Sequence, residues 1–281
     1  MCGRLSQYRS QQAYATEIGW REYAESLQLP PIDIPGKPRF NVPPGIPVWL
    51  MHRLAEGSER IDPVNWGYRA AWAREKGLPL AINATIEKAS SPYWRSLWRK
   101  GRAIVPADGW FEWTGEKGHK QPWHIHLKSG RPMFLAALTD FRPEAETQAE
   151  GSGFTIVTTQ AGGGMVDLHD RRPIVLSADD AKLWLDADFP AAQAEQLARN
   201  MSLPTDMFEW FPVNPAVNRA GNDSPDFITP DPNATPAPMM PTSAEAPGLF
   251  DRDLSPDDTS QTREPGGPGT PPSGAHQARM K

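Results

Sequence analysis

Apolar residues in this chain gather in short runs of four to six positions, not in long helical stripes. PVWLM (47–51), RAIVP (102–106), WFEW (110–113), WHIHL (123–127), MFLAAL (133–138), FTIVTT (154–159) and PIVLS (173–177) are each bounded by Gly, Pro or Asp. Runs of that length with those borders predict strands. Helical spacing is expected over 10–27, 87–99, 178–186 and 190–200, with Ser177 as the N-cap of the third. The strands do not alternate regularly with the helices, which argues against a doubly wound parallel sheet. The expected fold is α+β: one β-rich domain, a curled sheet or open barrel, with a few peripheral helices. PADG (106–109) reads as a turn between two strands.

The pattern changes at Asp231. Residues 231–281 hold ten prolines among Ser, Thr, Gly and Asp, as in GGPGTPPSG. Such a segment buries too little apolar surface to offset its ordering entropy. A catalytic domain over 1–230 and a disordered, Pro-rich tail over 231–281 are therefore expected. The stretch MMPTSAEAPGLFDRDL in that tail is a candidate docking motif for a protein partner.

Charge narrows the function little. The net charge of −5 is unevenly spread, with seven acidic and four basic residues from Asp231 onward. The body is then near neutral, which still permits a local basic groove for phosphates. There is no run of 18 apolar residues and no basic stretch followed by an apolar one at the start, so neither a membrane span nor a leader is expected. The single cysteine excludes an internal disulfide and a multi-Cys metal site. A cytoplasmic, monomeric protein without cofactor or metal is the expectation. Trp outnumbers Tyr by eleven to five, and most of these indoles are expected in the core, with a few left to stack on bases.

The chemistry-bearing residues are scattered. Cys2 follows the initiator Met1; once Met1 is trimmed, Cys2 carries a free α-amine two carbons from its thiol. Such a 1,2-aminothiol condenses with aldehydes, first as an imine and then as a five-membered thiazolidine. On position alone, a small residue that merely permits trimming is an equal reading. Glu112 alternates with Phe111 and Trp113; a carboxylate among large aromatics is suited to acid/base work if desolvated. His169 in LHDRRPIVL sits before a strand with Asp170 and Arg171 beside it, a proton shuttle or a structural loop residue. Asn83 in LAINATIEKAS ends an apolar strand and offers an amide. His124 and His126 share one strand face without a third ligand, and read as surface residues.

In order along the chain, CGR, PRFNVPPG (38–45), VNWG (64–67), INA..E (82–87), PADGWFEW (106–113), FTIVTTQA (154–161), HDRRPIVL (169–176) and WLD (184–186) resemble the SRAP family, the SOS-response-associated peptidase-like proteins. The resemblance runs from Cys2 to about Pro230. It implies a compact β-rich fold with a DNA groove over the active site, and capture of the abasic-site aldehyde in single-stranded DNA as a thiazolidine on Cys2. It further implies that Asn83 steadies the reacting sugar and the N-terminus. Glu112 would move protons in imine formation and Met1 removal. His169 would protonate the opening sugar and assist reversal. Arg4, Asn41, Pro44, Trp66 and Trp113 would line the groove. It places the protein with the nucleoid, bound to abasic single-stranded DNA. Lyase and autoproteolytic activities come with it. A thiol or N-terminal-nucleophile peptidase and a non-catalytic single-stranded nucleic-acid module are the alternatives. Where the family reads NARxE(T/S), this chain has Thr85, which removes one Arg–phosphate contact and about one unit of salt slope. Arg4, Arg39, Arg69, Arg102 and Arg172 are the candidates to compensate.

Overall fold

A computed structural model describes residues 2–27, 39–54, 57–145 and 147–234; the Pro-rich segment from Thr235 onward and its docking motif lie outside the described residues. Among the described residues, thirteen strands form two open sheets of mainly antiparallel pairs. β1 (Leu5–Gln7), β2 (Arg39–Val42), β7 (Gly109–Thr114), β8 (Gln121–Leu127) and β13 (Phe208–Pro212) make the smaller one, in the order β13-β8-β7-β1-β2. The larger is built on β3 (Pro47–Arg53), β4 (Glu59–Asn65), β6 (Arg102–Ala107), β9 (Met133–Thr139), β10 (Phe154–Gln160) and β11 (Arg171–Pro173), in the order β11-β10-β9-β6-β3-β4. β12 (Val175–Leu176) pairs with β9, and β5 (Asn83–Thr85) runs parallel to β10.

The central strands of the larger sheet are apolar on both faces, which explains their unbroken hydrophobic runs. Val48, Leu50, Ala103, Val105, Leu135 and Ala137 face the smaller sheet, in a core shared with Cys2, Leu5, Trp66, Trp110 and Phe154. Trp49, Met51, Ile104, Phe134 and Leu138 face the other way, onto the helices. These are α1 (Gln11–Ile18), α2 (Arg21–Ser26), α3 (Ala71–Glu75), α4 (Arg95–Lys100), α5 (Ala178–Leu185) and α6 (Ala191–Asn200). A third small core, Phe111, Val213, Val217 and Phe227, closes the outer face of the smaller sheet under the chain's last described segment. Eight of the eleven indoles are buried in these cores.

Several expected elements differ in detail. The helix expected over 10–27 is two helices, parted at Gly19, whose φ of +92° caps α1; its amide reaches back to Ala15 and Thr16 carbonyls. The helix expected over 87–99 starts as a 3₁₀ turn, Ile86–Lys88, and only Arg95–Lys100 is α-helical. Ser177 caps α5 as expected, its Oγ accepting from the Asp180 amide at 3.1 Å. PADG is not a simple turn: Pro106 and Ala107 end β6, the chain bends at Asp108, and Gly109 opens β7. That bend carries the chain from one sheet to the other. Asn83 begins its strand instead of ending one.

His124 is a clearer correction. The face it shares with His126 is covered by Phe211, and His124 is only 3% exposed. Its Nε2 lies 3.0 Å from Ser6 Oγ, and a Cβ on Gly109 would come within 2.1 Å of that same nitrogen, so position 109 requires glycine. Burial, with a smaller push from His126, drops the His124 pKa from 6.5 to about 3. The folded state therefore refuses a proton that the unfolded chain accepts. This contribution to stability is full above pH 6.5 and shrinks as pH falls toward 3, at up to ~1.4 kcal/mol per pH unit. Urea melts at pH 7 and pH 5 should show a shallower pH dependence in His124→Phe than in the parent; equal slopes would reject this assignment.

Candidate functional site

β1 places Cys2. Leu5 pairs with Trp110 and Ser6 with Gly109, and the Phe111 amide donates to the Arg4 carbonyl at 3.0 Å. Continuing that antiparallel register sets Gly3 opposite Glu112, so Cys2 lies next to the strand end that carries the carboxylate. Cys2 is fully buried and Glu112 is 2% exposed. Glu112 shares its face with Trp110, toward the inter-sheet core, while Phe111 joins the outer core. Burial pushes the Cys2 thiol far above its ordinary range, and the Glu112 carboxylate pushes it further; the positive chain terminus and, less, a hydrogen bond from the Arg4 amide pull the other way. The thiol is thus held protonated at neutral pH.

From the opposite sheet, Asn83 Nδ2 donates to the Cys2 carbonyl at 2.9 Å. Its Oδ1 is buried and accepts nothing from the described residues. Asn83 stands across from Ile156 at the edge of β10, and the residue before it is held by Trp66, whose Nε1 donates to the Ile82 carbonyl at 3.0 Å. Trp66 is fully buried, stacked on Phe154 at 6.3 Å. It buttresses Asn83 from behind and does not reach the surface. Pro44 is half-buried in the turn above it; the Gly45 amide donates to the Trp66 carbonyl at 2.8 Å.

His169 follows the 3₁₀ turn Gly163–Asp167 and precedes β11. The Arg171 amide donates to its Nδ1 at 2.9 Å, which leaves the proton of the neutral ring on Nε2. Asp170 Oδ1 lies 2.7 Å from the same Nδ1 and suits the protonated ring instead. The two partners support alternate protonation states, as a proton shuttle requires. Arg171 itself reaches across β10 to Glu87, with both guanidinium ends on the carboxylate at 3.0 and 2.8 Å.

On the outer side of β1 and β7 an open groove of about 460 Å³ is lined by Gly3, Arg4, Trp113, Gly118, Lys120 and Asn218. Two cations, an indole face and an amide are the donor set that suits a nucleic-acid strand. Arg4 lies over the Trp113 ring at 5.7 Å, and the Trp113 Nε1 donates to Asn218 Oδ1 at 2.6 Å. Asn41 is beneath the groove wall: its Nδ2 donates to the carbonyls of Val217, Arg219 and Asn222, and its Oδ1 accepts from Arg4. Lys120 and Asn218 carry no motif or periodicity that marks them in the sequence.

Of the arginines considered for the role lost at Thr85, only Arg4 lines the groove. Arg102 is a structural hub, bonded to the carbonyls of Trp98, Trp184, Asp186 and Phe189. Arg39 and Arg69 are likewise spent on backbone carbonyls, and Arg172 is buried against Phe208. Among the described residues, no group of three His, Cys, Asp or Glu is gathered for a metal, and no helix is long and apolar enough to cross a membrane.

Fold and site together define a two-sheet α+β protein whose N-terminal cysteine is buried between a gripping amide and a carboxylate strand. The chain belongs to the SOS response associated peptidase (SRAP) family, whose model matches residues 1–220. It is 39% identical to the abasic site processing protein YedK of Escherichia coli over 237 residues, 82% of this chain and all of that one. It is 30% identical to the abasic site processing protein YoqW of Bacillus subtilis over 200 residues, 68% of this chain and 85% of that one. Among solved structures, a phage-related protein from Bordetella bronchiseptica is similar with a TM-score of 0.63 at 37% identity, covering 76% of this chain and 94% of that one.

Proposed function

We propose that the protein captures abasic sites in single-stranded DNA as a covalent thiazolidine on Cys2, shielding the lesion. The observation that carries this reading is the Asn83 grip on Cys2 beside buried Glu112, in a family whose relatives are named for abasic site processing. Met1 is first removed, with Glu112 assisting. The groove beside Arg4 and Trp113 holds the strand by phosphates and a stacked base. The protonated His169 ring, with Nδ1–H on Asp170, gives its Nε2 proton to the deoxyribose ring oxygen as the C1–O bond breaks; the C1 hydroxyl loses its proton to water, and the aldehyde is released.

The protonated thiol leaves the first attack to the α-amine, and the unfilled Asn83 Oδ1 offers that amine an acceptor. Addition gives a carbinolamine; Glu112 carries the amine's proton to the departing hydroxyl, and water leaves with formation of the imine. The S–H bond then adds across C=N, sulfur to carbon and proton to nitrogen, closing the ring with no other reagent. Holding all groups in place supplies the effective concentration. A strand that escapes at the imine stage undergoes β-elimination, the lyase side reaction.

Abasic single-stranded DNA mixed with the purified protein should give a band that survives denaturation, with an intact mass equal to Met1-free protein plus DNA minus one water. Failure to form such a product would end this reading. The peptidase alternative asks for a thiolate nucleophile, and the raised Cys2 thiol disfavours it; cleavage confined to the protein's own Met1 fits the site better.

A further inference from the structure

β3 and β6 are neighbours in the larger sheet, yet only Met51 and Ile104 pair directly. Two residues further along that antiparallel register, Trp49 falls opposite Pro106. Proline has no N–H, so the ladder cannot continue there. The Gln7 side chain fills the gap. Its Nε2 donates to the Trp49 carbonyl at 3.2 Å and to the Pro106 carbonyl at 2.7 Å. Its Oε1 accepts from the Trp49 amide at 2.9 Å and from Arg39 Nη2 at 3.3 Å. A carboxamide thus replaces the peptide group that Pro106 withholds, and all its polar sites are used at 2% exposure.

This matters because Gln7 belongs to β1, the strand that ends in Cys2. β1 has three residues and pairs with β7 at two positions and with β2 at two, a short hold for a strand that carries a chain terminus. Just beyond it, Asp108 accepts from the Tyr8 amide at 2.8 Å, Arg9 Nε at 2.7 Å and the Tyr14 hydroxyl at 2.5 Å. Gln7 is the point at which β1 locks into the opposite sheet, the sheet that also presents Asn83. We propose that Gln7 is a positioning residue for Cys2, setting the aminothiol against Glu112 and Asn83 by completing the proline gap. The inference rests on the crosslinking reading above.

Gln7→Met keeps the volume and removes every bond. At saturating abasic DNA its adduct should form about 10–100-fold more slowly, with the half-saturating DNA concentration unchanged. Leu197→Ala, on α6 in the helix-side core and outside the core that holds β1, serves as a stability control and should react at the parent rate despite a lowered Tm. Gln7→Met/Pro106→Ala restores a peptide N–H at 106, letting the ladder close without the amide. In that variant Tm should rise toward the parent while the slow adduct formation persists. Parent-rate chemistry in Gln7→Met, or joint recovery of Tm and rate in the double variant, would overturn the proposal. If the parent itself forms no adduct, the crosslinking reading falls too, a result distinct from a parent and a Gln7→Met variant that react equally fast.

Discussion

Cys2→Ala protein should give no DNA adduct that survives denaturation, a fall to the detection limit, while still binding single-stranded DNA in a salt-sensitive way. Alanine also permits removal of Met1, so the variant keeps an α-amine in the same position. The imine then still forms but cannot close to a ring. Borohydride should trap it, and strand cleavage by β-elimination should rise relative to the parent, where the thiol diverts the imine. The variant therefore separates the two halves of the chemistry. A denaturation-stable adduct at the parent level would show that Cys2 is incidental; salt-sensitive binding unchanged by Cys2→Ala, with no covalent product from either protein, would favour a simple binding module.

Glu112→Gln is expected to slow adduct formation by about 10²–10⁴-fold, the usual worth of a positioned proton-transfer group. Glutamine preserves shape in a site that is 2% exposed, so the loss reads chemistry more than packing. The variant has a second, opposing effect. The Glu112 carboxylate raises the Cys2 thiol pKa, and its removal brings the thiol pKa down. If thiol ionisation limited the reaction, Glu112→Gln would be faster than the parent at pH 7. If proton delivery to the departing hydroxyl limits it, the variant is slower and the rate recovers as pH is lowered. Single-turnover rates from pH 5.5 to 8.5 distinguish these, and a faster variant at neutral pH would remove Glu112 from its assigned role.

The sequence revealed the strands best where both faces are buried. MFLAAL and FTIVTT are unbroken apolar runs because helices cover one face and the second sheet the other. β1, β2 and β5 were illegible: three or four residues each, mixed in character, and strands only because a longer partner templates them. Asn83, Glu112 and His169 were found through family motifs, since each is bland alone. Burial of His124 was missed because its cover, Phe211 and the segment beyond, lies some ninety residues downstream, beyond any local pattern. Gln7 carries no local signal either; its role exists only because Pro106 is a proline on a strand from the other sheet. Trp66 was expected at the groove, and its ring is instead a support behind Asn83.

The complete burial of Cys2 has one further consequence. An aminothiol open to solvent would be consumed by soluble carbonyl compounds and oxidants long before a rare lesion arrived. A reagent that waits for a rare lesion needs a long shelf life. Here the thiol is covered, and its burial favours the protonated form, which slows its reaction with small electrophiles in bulk water. On the crosslinking reading, selectivity for the lesion would lie less in the intrinsic appetite of the aminothiol than in which aldehyde can be delivered to it, threaded along a strand held in the groove.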